Sequence, residues 1–164
     1  MASRNSFVIA IPIYESVNVL DVTGPYEMFA WMRQQLPELG VQLCLVAESK
    51  DPVVAMNDFV MAPHATFADL PAADLLWVPG GDPPAVVQMM KNGPYLDYLR
   101  RAAVGASYVC SVCEGALIAA ASGIFDGCAM TTHWAFVPCL DQLAEAHRLD
   151  VKGGCEQPDG SWRF

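Results

Sequence analysis

The sequence contains little charge, and positive charge is the scarcer kind. Of its 164 residues only 16% are charged, with 9 lysines and arginines against 18 aspartates and glutamates, for a net charge of −9. A surface that binds nucleic-acid phosphates needs clustered basic side chains. We therefore expect no nucleic-acid partner for this domain.

Long apolar runs are missing as well. No stretch reaches the roughly 20 apolar residues that a membrane-spanning helix requires, and the first apolar run is interrupted at Pro12 and Glu15. The N-terminus has neither the basic region nor the small-residue cleavage site of a signal peptide. We expect a cytoplasmic protein that makes no contact with membranes.

Hydrophobic residues are abundant, at 54% of the chain. A chain of this length can bury a substantial core as one domain, which we expect to cover residues 1–164. So much apolar sequence with so little charge also leaves more apolar surface than one small domain readily hides. We therefore predict a homodimer.

Strand-like apolar runs alternate with helical segments along the chain. The pattern predicts strands at 6–13, 41–47, 75–78, 107–112 and 128–131, a hairpin at 53–63, and helices at 25–36, 84–90, 94–104, 114–122 and 134–146. Buried strands separated by helices are typical of an α/β fold, a doubly wound, mainly parallel sheet with helices on both faces. Functional sites in such sheets form beyond the carboxyl ends of the strands.

The segment Ser111-Val-Cys-Glu-Gly-Ala116 has the pattern of a nucleophile elbow, with Cys113 at the corner between a strand and a helix. Gly115 allows the helix and the strand to approach closely. At the start of a helix, the free N–H groups and the helix dipole favour a thiolate. The alternative is a buried structural cysteine.

Six cysteines are present, and Cys110 and Cys113 form a C-x-x-C pair. An extended strand would separate these two by roughly 10 Å at ~3.3 Å per residue, whereas a disulfide allows about 7 Å between Cα atoms. We expect no disulfide between them, and we expect most of the cysteines to be buried, reduced thiols.

Two further segments follow strands at the same edge of the sheet. Asp21 comes after the first strand, and a carboxyl group beside a thiol can carry a proton to or from a substrate. Its alternative role is to cap the helix predicted to begin near Pro25. Gly80 and Gly81, after the third strand, can turn backbone N–H groups toward an anion.

Four motifs occur in one order along the chain: Asp21-x-Thr-Gly-Pro, Pro79-Gly-Gly, Ser111-Val-Cys113-x-Gly and Ala129-x-Thr-Thr-His133-Trp. The chain thereby resembles the ThiJ/PfpI superfamily, the class I glutamine amidotransferase-like group with a flavodoxin-like sheet. Within it, the likeness is greatest to isocyanide hydratases and to the sensor domains of AraC-type regulators.

The resemblance implies a role for each site residue. Cys113 is the expected nucleophile and Asp21 the acid facing it. The backbone amides of Gly81 and Glu114 are the expected oxyanion donors, Gly80 lies beside them, and His133 lies close to the pocket, unless it is a buried histidine bonded to the backbone. No metal or cofactor is expected, and the partner is a small-molecule substrate.

The chain departs from the family pattern at two points. Glu114 stands where isocyanide hydratases typically carry threonine and the proteolytic branch carries histidine, which argues against a peptidase. Glu114 can also be read as an ordinary helix-start acid pointing to solvent. In addition, family members usually continue with a further strand and a closing helix, which we expect this domain to lack after Phe164.

These observations predict a cysteine-dependent hydratase of small carbon–nitrogen substrates, converting isocyanides to N-substituted formamides. A ligand-sensing domain of an AraC-type regulator is the alternative, and it would require a basic helix-turn-helix module outside these residues. A redox protein whose Cys113 oxidises to a sulfinate is a third possibility. For the hydratase, we predict that Cys113 titrates below the ~8.5 of a free thiol.

Overall fold

A five-stranded sheet forms the centre of the computed structural model, which describes residues 6–91, 93–152, 155–156 and 162–163. The strands are β1 (Phe7–Pro12), β2 (Val41–Ala47), β3 (Val53–Val54), β4 (Val60–Met61), β5 (Ala65–Thr66), β6 (Leu75–Val78), β7 (Tyr108–Ser111), β8 (Ala129–Met130), β9 (Asp150–Val151), β10 (Cys155–Glu156) and β11 (Trp162–Arg163). The helices are α1 (Val19–Gln35), α2 (Pro83–Met89), α3 (Pro94–Ala103), α4 (Gly115–Ser122) and α5 (Val137–His147).

The central sheet has the strand order β5-β2-β1-β6-β7, and every neighbouring pair in it is parallel. Strands β2 and β5 lie on one side of β1, and β6 and β7 lie on the other side. The chain therefore adds strands first in one direction and then in the opposite direction. Because parallel crossovers are right-handed, the helices of these two halves cover opposite faces of the sheet. The predicted doubly wound fold is confirmed.

The sequence of β1 explains why it lies at the centre of the sheet. Ile9, Ala10 and Ile11 are fully buried in succession, so both faces of the strand are covered. Such a run of apolar residues without alternation is typical of a strand inside a two-faced parallel sheet.

Helix α1 begins earlier than the sequence predicted, at Val19 rather than near Pro25. Asn18 caps it, because its side-chain oxygen accepts hydrogen bonds from the backbone N–H groups of Leu20 and Asp21. Pro25 therefore lies inside the helix. The alternative role of Asp21 as a helix cap is wrong, since Asp21 belongs to the first turn of α1.

The remaining elements follow the predicted pattern with small shifts at their ends. Strands β3 and β4 form the predicted hairpin, in which Asn57 and Asp58 turn the chain at positive φ. The short strands β5, β9, β10 and β11 were not predicted; β9 pairs in parallel with β8, and β10 pairs antiparallel with β11. Among the described residues, no helix has the length and apolar character needed to cross a membrane.

Candidate functional site

Three neighbouring strands end at one edge of the sheet, and the predicted site residues follow them there. Val112 and Cys113 come after β7, and Gly80 and Gly81 come after the adjacent β6. The loop after β1 bonds to the segment after β6, since the N–H of Asn18 donates to the carbonyl of Gly80 at 2.9 Å. The segments that carry the motifs thus meet, as expected for parallel strands.

Cys113 occupies the corner between β7 and α4 with a φ of 52°, in the left-handed region that non-glycine residues rarely adopt. The strain turns the chain sharply from strand to helix, and it confirms the predicted elbow geometry.

Thr132 holds the elbow from the side. Its hydroxyl donates a hydrogen bond of 2.7 Å to the carbonyl oxygen of Cys113. Sequence reasoning assigned no role to Thr132, although it belongs to the motif that ends in His133 and Trp134. Its contact shows that this motif supports the backbone of the cysteine.

The thiol of Cys113 lies beside two carboxyl groups. Its sulfur, one oxygen of Asp21 and one oxygen of Glu114 all lie within 4.8 Å of one another. Glu114 is only 8% exposed, so the alternative in which it points to solvent is wrong.

Glu114 fits into the site because Gly80 has no side chain. A Cβ atom at Gly80 would lie 2.5 Å from Oε2 of Glu114 and 2.9 Å from Oδ2 of Asp21. The turn after β6 therefore packs directly against both carboxyl groups.

Asp21 is held at two points by β6 and the turn that follows it. The backbone N–H of Gly80 donates to Oδ2 of Asp21 at 3.0 Å, and Nε1 of Trp77 donates to its backbone carbonyl at 3.0 Å. That carbonyl lacks its usual donor inside α1, because the residue four positions later is Pro25 and has no N–H. The Trp77 indole replaces the missing helix bond.

We predict that Trp77→Phe lowers the free energy of unfolding by about 1–3 kcal/mol, because it leaves the Asp21 carbonyl without a donor. Urea denaturation followed by far-ultraviolet circular dichroism measures the change. Trp134→Phe is the matched control, since Trp134 is 68% exposed and its replacement should change stability by less than about 0.5 kcal/mol. Equal effects of the two substitutions would contradict the assignment.

The pKa of Asp21 is raised above its ordinary value. Burial is the main cause, and the charge of Glu114 adds to it, whereas the hydrogen bond from Gly80 and the charge of His133 act in the opposite direction. A raised pKa favours the protonated carboxyl group, which is the form that an acid needs.

The prediction that the pKa of the Cys113 thiol is lowered is wrong. The pKa of the thiol is raised to about 12, first by burial, then by a hydrogen bond to the Glu114 carboxylate and by the charges of Glu114 and Asp21. The backbone N–H of Glu114 acts in the opposite direction but is outweighed. The thiol is therefore neutral at pH 7.

Gly81, one of the two expected oxyanion donors, lies in the turn after β6, next to Gly80. Gly81 forms an antiparallel bridge with Val17, which is made by Asn18 N–H to Gly80 O and Asp82 N–H to Ser16 O, each 2.9 Å. The bridge does not use the N–H of Gly81. The amide of Gly80, in contrast, is engaged by Asp21, and the oxyanion roles of Gly81 and Glu114 stay predictions.

His133 is exposed and caps the short 3₁₀ turn Trp134–Phe136, where its Nδ1 accepts from the N–H of Ala135 at 3.3 Å. It is bonded to the backbone but is not buried. Its effect on the pKa of Asp21 shows that it lies close enough for an electrostatic interaction.

The five cysteines whose side chains are described are all free thiols, Cys110 and Cys113 among them. The absence of a bond between these two agrees with the prediction from strand geometry. The expectation that most cysteines are buried is wrong, because Cys128 and Cys139 are exposed and the others are partly exposed. The side chain of Cys155 lies outside the described residues.

Tyr14 borders both the cluster and a neighbouring cleft, and sequence reasoning did not select it. Its hydroxyl donates to the carbonyl of Pro79 at 3.3 Å, and Glu114, Asp21 and Cys113 all help to raise its pKa. Tyr14 also lines a cleft of about 500 Å³, but none of the three clustered residues lines that cleft.

The chain is similar to known proteins in sequence and in fold. The model of the DJ-1/PfpI family matches residues 8–152. An isonitrile hydratase from Pseudomonas putida is 35% identical over 155 residues, which are 89% of this chain and 64% of that protein. The chain thus spans just under two thirds of this relative.

Solved structures show the same fold. A ThiJ/PfpI family protein from Pseudomonas syringae superposes with a TM-score of 0.74 at 29% identity, over 84% of this chain and 55% of that one. An AraC family transcriptional regulator from Pseudomonas putida gives a TM-score of 0.65 at 16% identity, over 89% and 76% of the two chains. The latter likeness shows the fold alone.

Proposed function

The chain belongs to the DJ-1/PfpI family, and on that premise we propose that it is a cysteine-dependent hydratase of small carbon–nitrogen compounds, with isocyanides as substrates. The observation that carries the proposal is the contact cluster of Cys113, Asp21 and Glu114 at a strained elbow. The 35% identity to a protein named as an isonitrile hydratase supports the choice of substrate class.

In the proposed reaction, the sulfur of Cys113 attacks the terminal carbon of the isocyanide, and Asp21 protonates that carbon. The product of this step is a thioimidate bound to the enzyme. Water then adds to the thioimidate carbon, and the carbon–sulfur bond breaks to release an N-substituted formamide. The raised pKa of Asp21 supports its role as the proton donor.

A steady-state assay with an aliphatic isocyanide tests the proposal, with the formamide product measured by chromatography. We expect turnover without added metal or cofactor. Heat-denatured protein serves as the control for the uncatalysed reaction. Formamide production no faster than in this control would contradict the proposed activity.

A ligand-sensing domain is the competing function, because AraC-type regulators share this fold. A sensor would bind its ligand without turnover. A basic helix-turn-helix module in the same natural protein would favour it. The redox alternative is less consistent with the site, because oxidation of cysteine follows thiolate character and the pKa of Cys113 is raised.

We also propose that the chain forms a homodimer through an apolar face of α1. Leu20, Met28 and Trp31 lie along one side of this helix and are 72%, 68% and 54% exposed. An exposed stripe of large apolar side chains is typical of a protein contact surface.

We predict that Met28→Lys converts a dimer to a monomer at micromolar concentration, because a lysine charge is costly to bury in an apolar interface. Light scattering measures the mass. Val104→Lys is the matched control, since Val104 is 90% exposed at the end of α3, and it should leave the mass unchanged. A wild-type protein of one-chain mass would contradict the proposal.

A further inference from the structure

We propose that Glu114 is a further catalytic residue, whose carboxylate accepts the proton of the Cys113 thiol as the sulfur attacks the substrate. The nucleophile then forms during the reaction and does not exist as a thiolate beforehand. This inference rests on the proposed hydratase function and adds a base to it.

The position of Glu114 carries the inference. Its carboxylate is packed against the backbone of Gly80, in space that any larger residue would fill. Its side chain is 8% exposed, so solvent competes little for the carboxylate. One of its carboxylate oxygens lies within 4.8 Å of the Cys113 sulfur, so it is the neighbouring group from which a base can reach the thiol proton.

The charged groups around Cys113 explain why a base is needed. Glu114 and Asp21 face the thiol, and both disfavour its ionisation. The Tyr14 hydroxyl lies in the same electrostatic environment, and His133 interacts with Asp21. With its pKa raised to about 12, the thiol is neutral at pH 7 and is a weak nucleophile without a proton acceptor.

The two carboxyl groups then have different tasks. Asp21, whose pKa is raised, begins as the acid, and Glu114 begins as the carboxylate. Two neighbouring carboxyl groups in different protonation states are a common basis for acid–base catalysis.

The protons balance over the full reaction. In the first step the carbon–sulfur bond forms, the thiol proton passes to Glu114, and the Asp21 proton passes to the isocyanide carbon. Water then adds its oxygen to that carbon; one water proton restores Asp21, and the proton on Glu114 passes to the nitrogen. When the carbon–sulfur bond breaks, the second water proton returns to the sulfur, and the formamide is released.

Glu114→Gln tests the inference, because it removes the base and the negative charge together. We expect iodoacetamide alkylation of Cys113 at pH 8 to rise about tenfold for each unit by which its pKa falls. We expect isocyanide turnover to fall about 10²-fold or more, the usual contribution of a general base. Mass spectrometry of the Cys113 peptide follows the alkylation, since other thiols are exposed.

Two further variants complete the test. Glu145→Gln makes the same change on the exposed surface of α5, away from the cluster and from the α1 face, and should alter neither rate. Glu114→Asp keeps a carboxylate and should recover part of the turnover lost in Glu114→Gln. Circular dichroism confirms that each variant is folded.

Opposite changes in the two rates support the inference. Glu114→Gln with unchanged or faster turnover would overturn it, since Glu114 would then only suppress ionisation. Slower alkylation together with slower turnover would also overturn it and would indicate a structural role. If the wild-type protein hydrates no isocyanide, the proposed function fails. In that case, faster alkylation in Glu114→Gln would still support proton coupling between Glu114 and Cys113. Unchanged alkylation would overturn that coupling.

Discussion

Cys113→Ala is expected to lower isocyanide turnover by roughly 10⁴-fold or more, the scale of effect seen when a nucleophile is removed from an enzyme that acts through a covalent intermediate. The Cys113 sulfur is the only heavy atom of the protein that bonds to the substrate carbon in the proposed reaction. The backbone keeps a β-carbon at the strained φ of 52°, so the elbow itself should persist.

The steady-state isocyanide assay measures this effect, and Cys110→Ala is its matched control. Cys110 is a free thiol on β7, partly exposed like Cys113, and lies three residues before it. Its removal should leave turnover within about threefold of the wild type, because Cys110 does not belong to the cluster of Cys113, Asp21 and Glu114; a threefold change corresponds to about 0.6 kcal/mol. Full activity in Cys113→Ala would exclude the covalent mechanism.

Gly115→Ala is expected to lower the free energy of unfolding by about 3 kcal/mol or more. A Cβ atom at this position would overlap the carbonyl oxygen of Val78 and would lie 2.8 Å from the carbonyl carbon of Pro79. Both neighbours are backbone atoms, which cannot move aside as a side chain can, so α4 would have to shift away from β6. Overpacking that forces the backbone to shift typically costs about 1–3 kcal/mol and occasionally more, and the overlap with two backbone groups places Gly115→Ala at the upper end.

Urea denaturation measures this loss, which is a large part of the roughly 5–15 kcal/mol that stabilises a typical domain. Gly105→Ala is the matched control, because a Cβ atom at Gly105 meets nothing within 4 Å. That change should leave stability unaltered or raise it by up to about 1 kcal/mol. A Gly115→Ala variant as stable as Gly105→Ala would show that the elbow has room for a side chain.

Much of the fold was predictable because its central strands are largely apolar runs separated by helical segments. The apolar runs at β2 and β6 have the boundaries that the sequence predicted, Val41–Ala47 and Leu75–Val78. The beginning of α1 was not predictable from Pro25, because proline is tolerated in the first turn of a helix and also, less often, inside it. Here the Trp77 indole, 56 residues away from Asp21 in sequence, compensates for the missing bond.

The site, like the fold, has features that could be predicted from the sequence and features that could not. The elbow at Cys113 and the strand ends that bring Asp21 near it could be predicted, because they follow from local residue patterns and from parallel strands ending at one edge. The direction of the Glu114 side chain and the ionisation of Cys113 could not, because both depend on how separate segments pack together. The direction of Glu114 depends on the space beside Gly80, and the pKa of Cys113 sums burial with charges from separate segments. Such sums over distant residues are not encoded in any single motif.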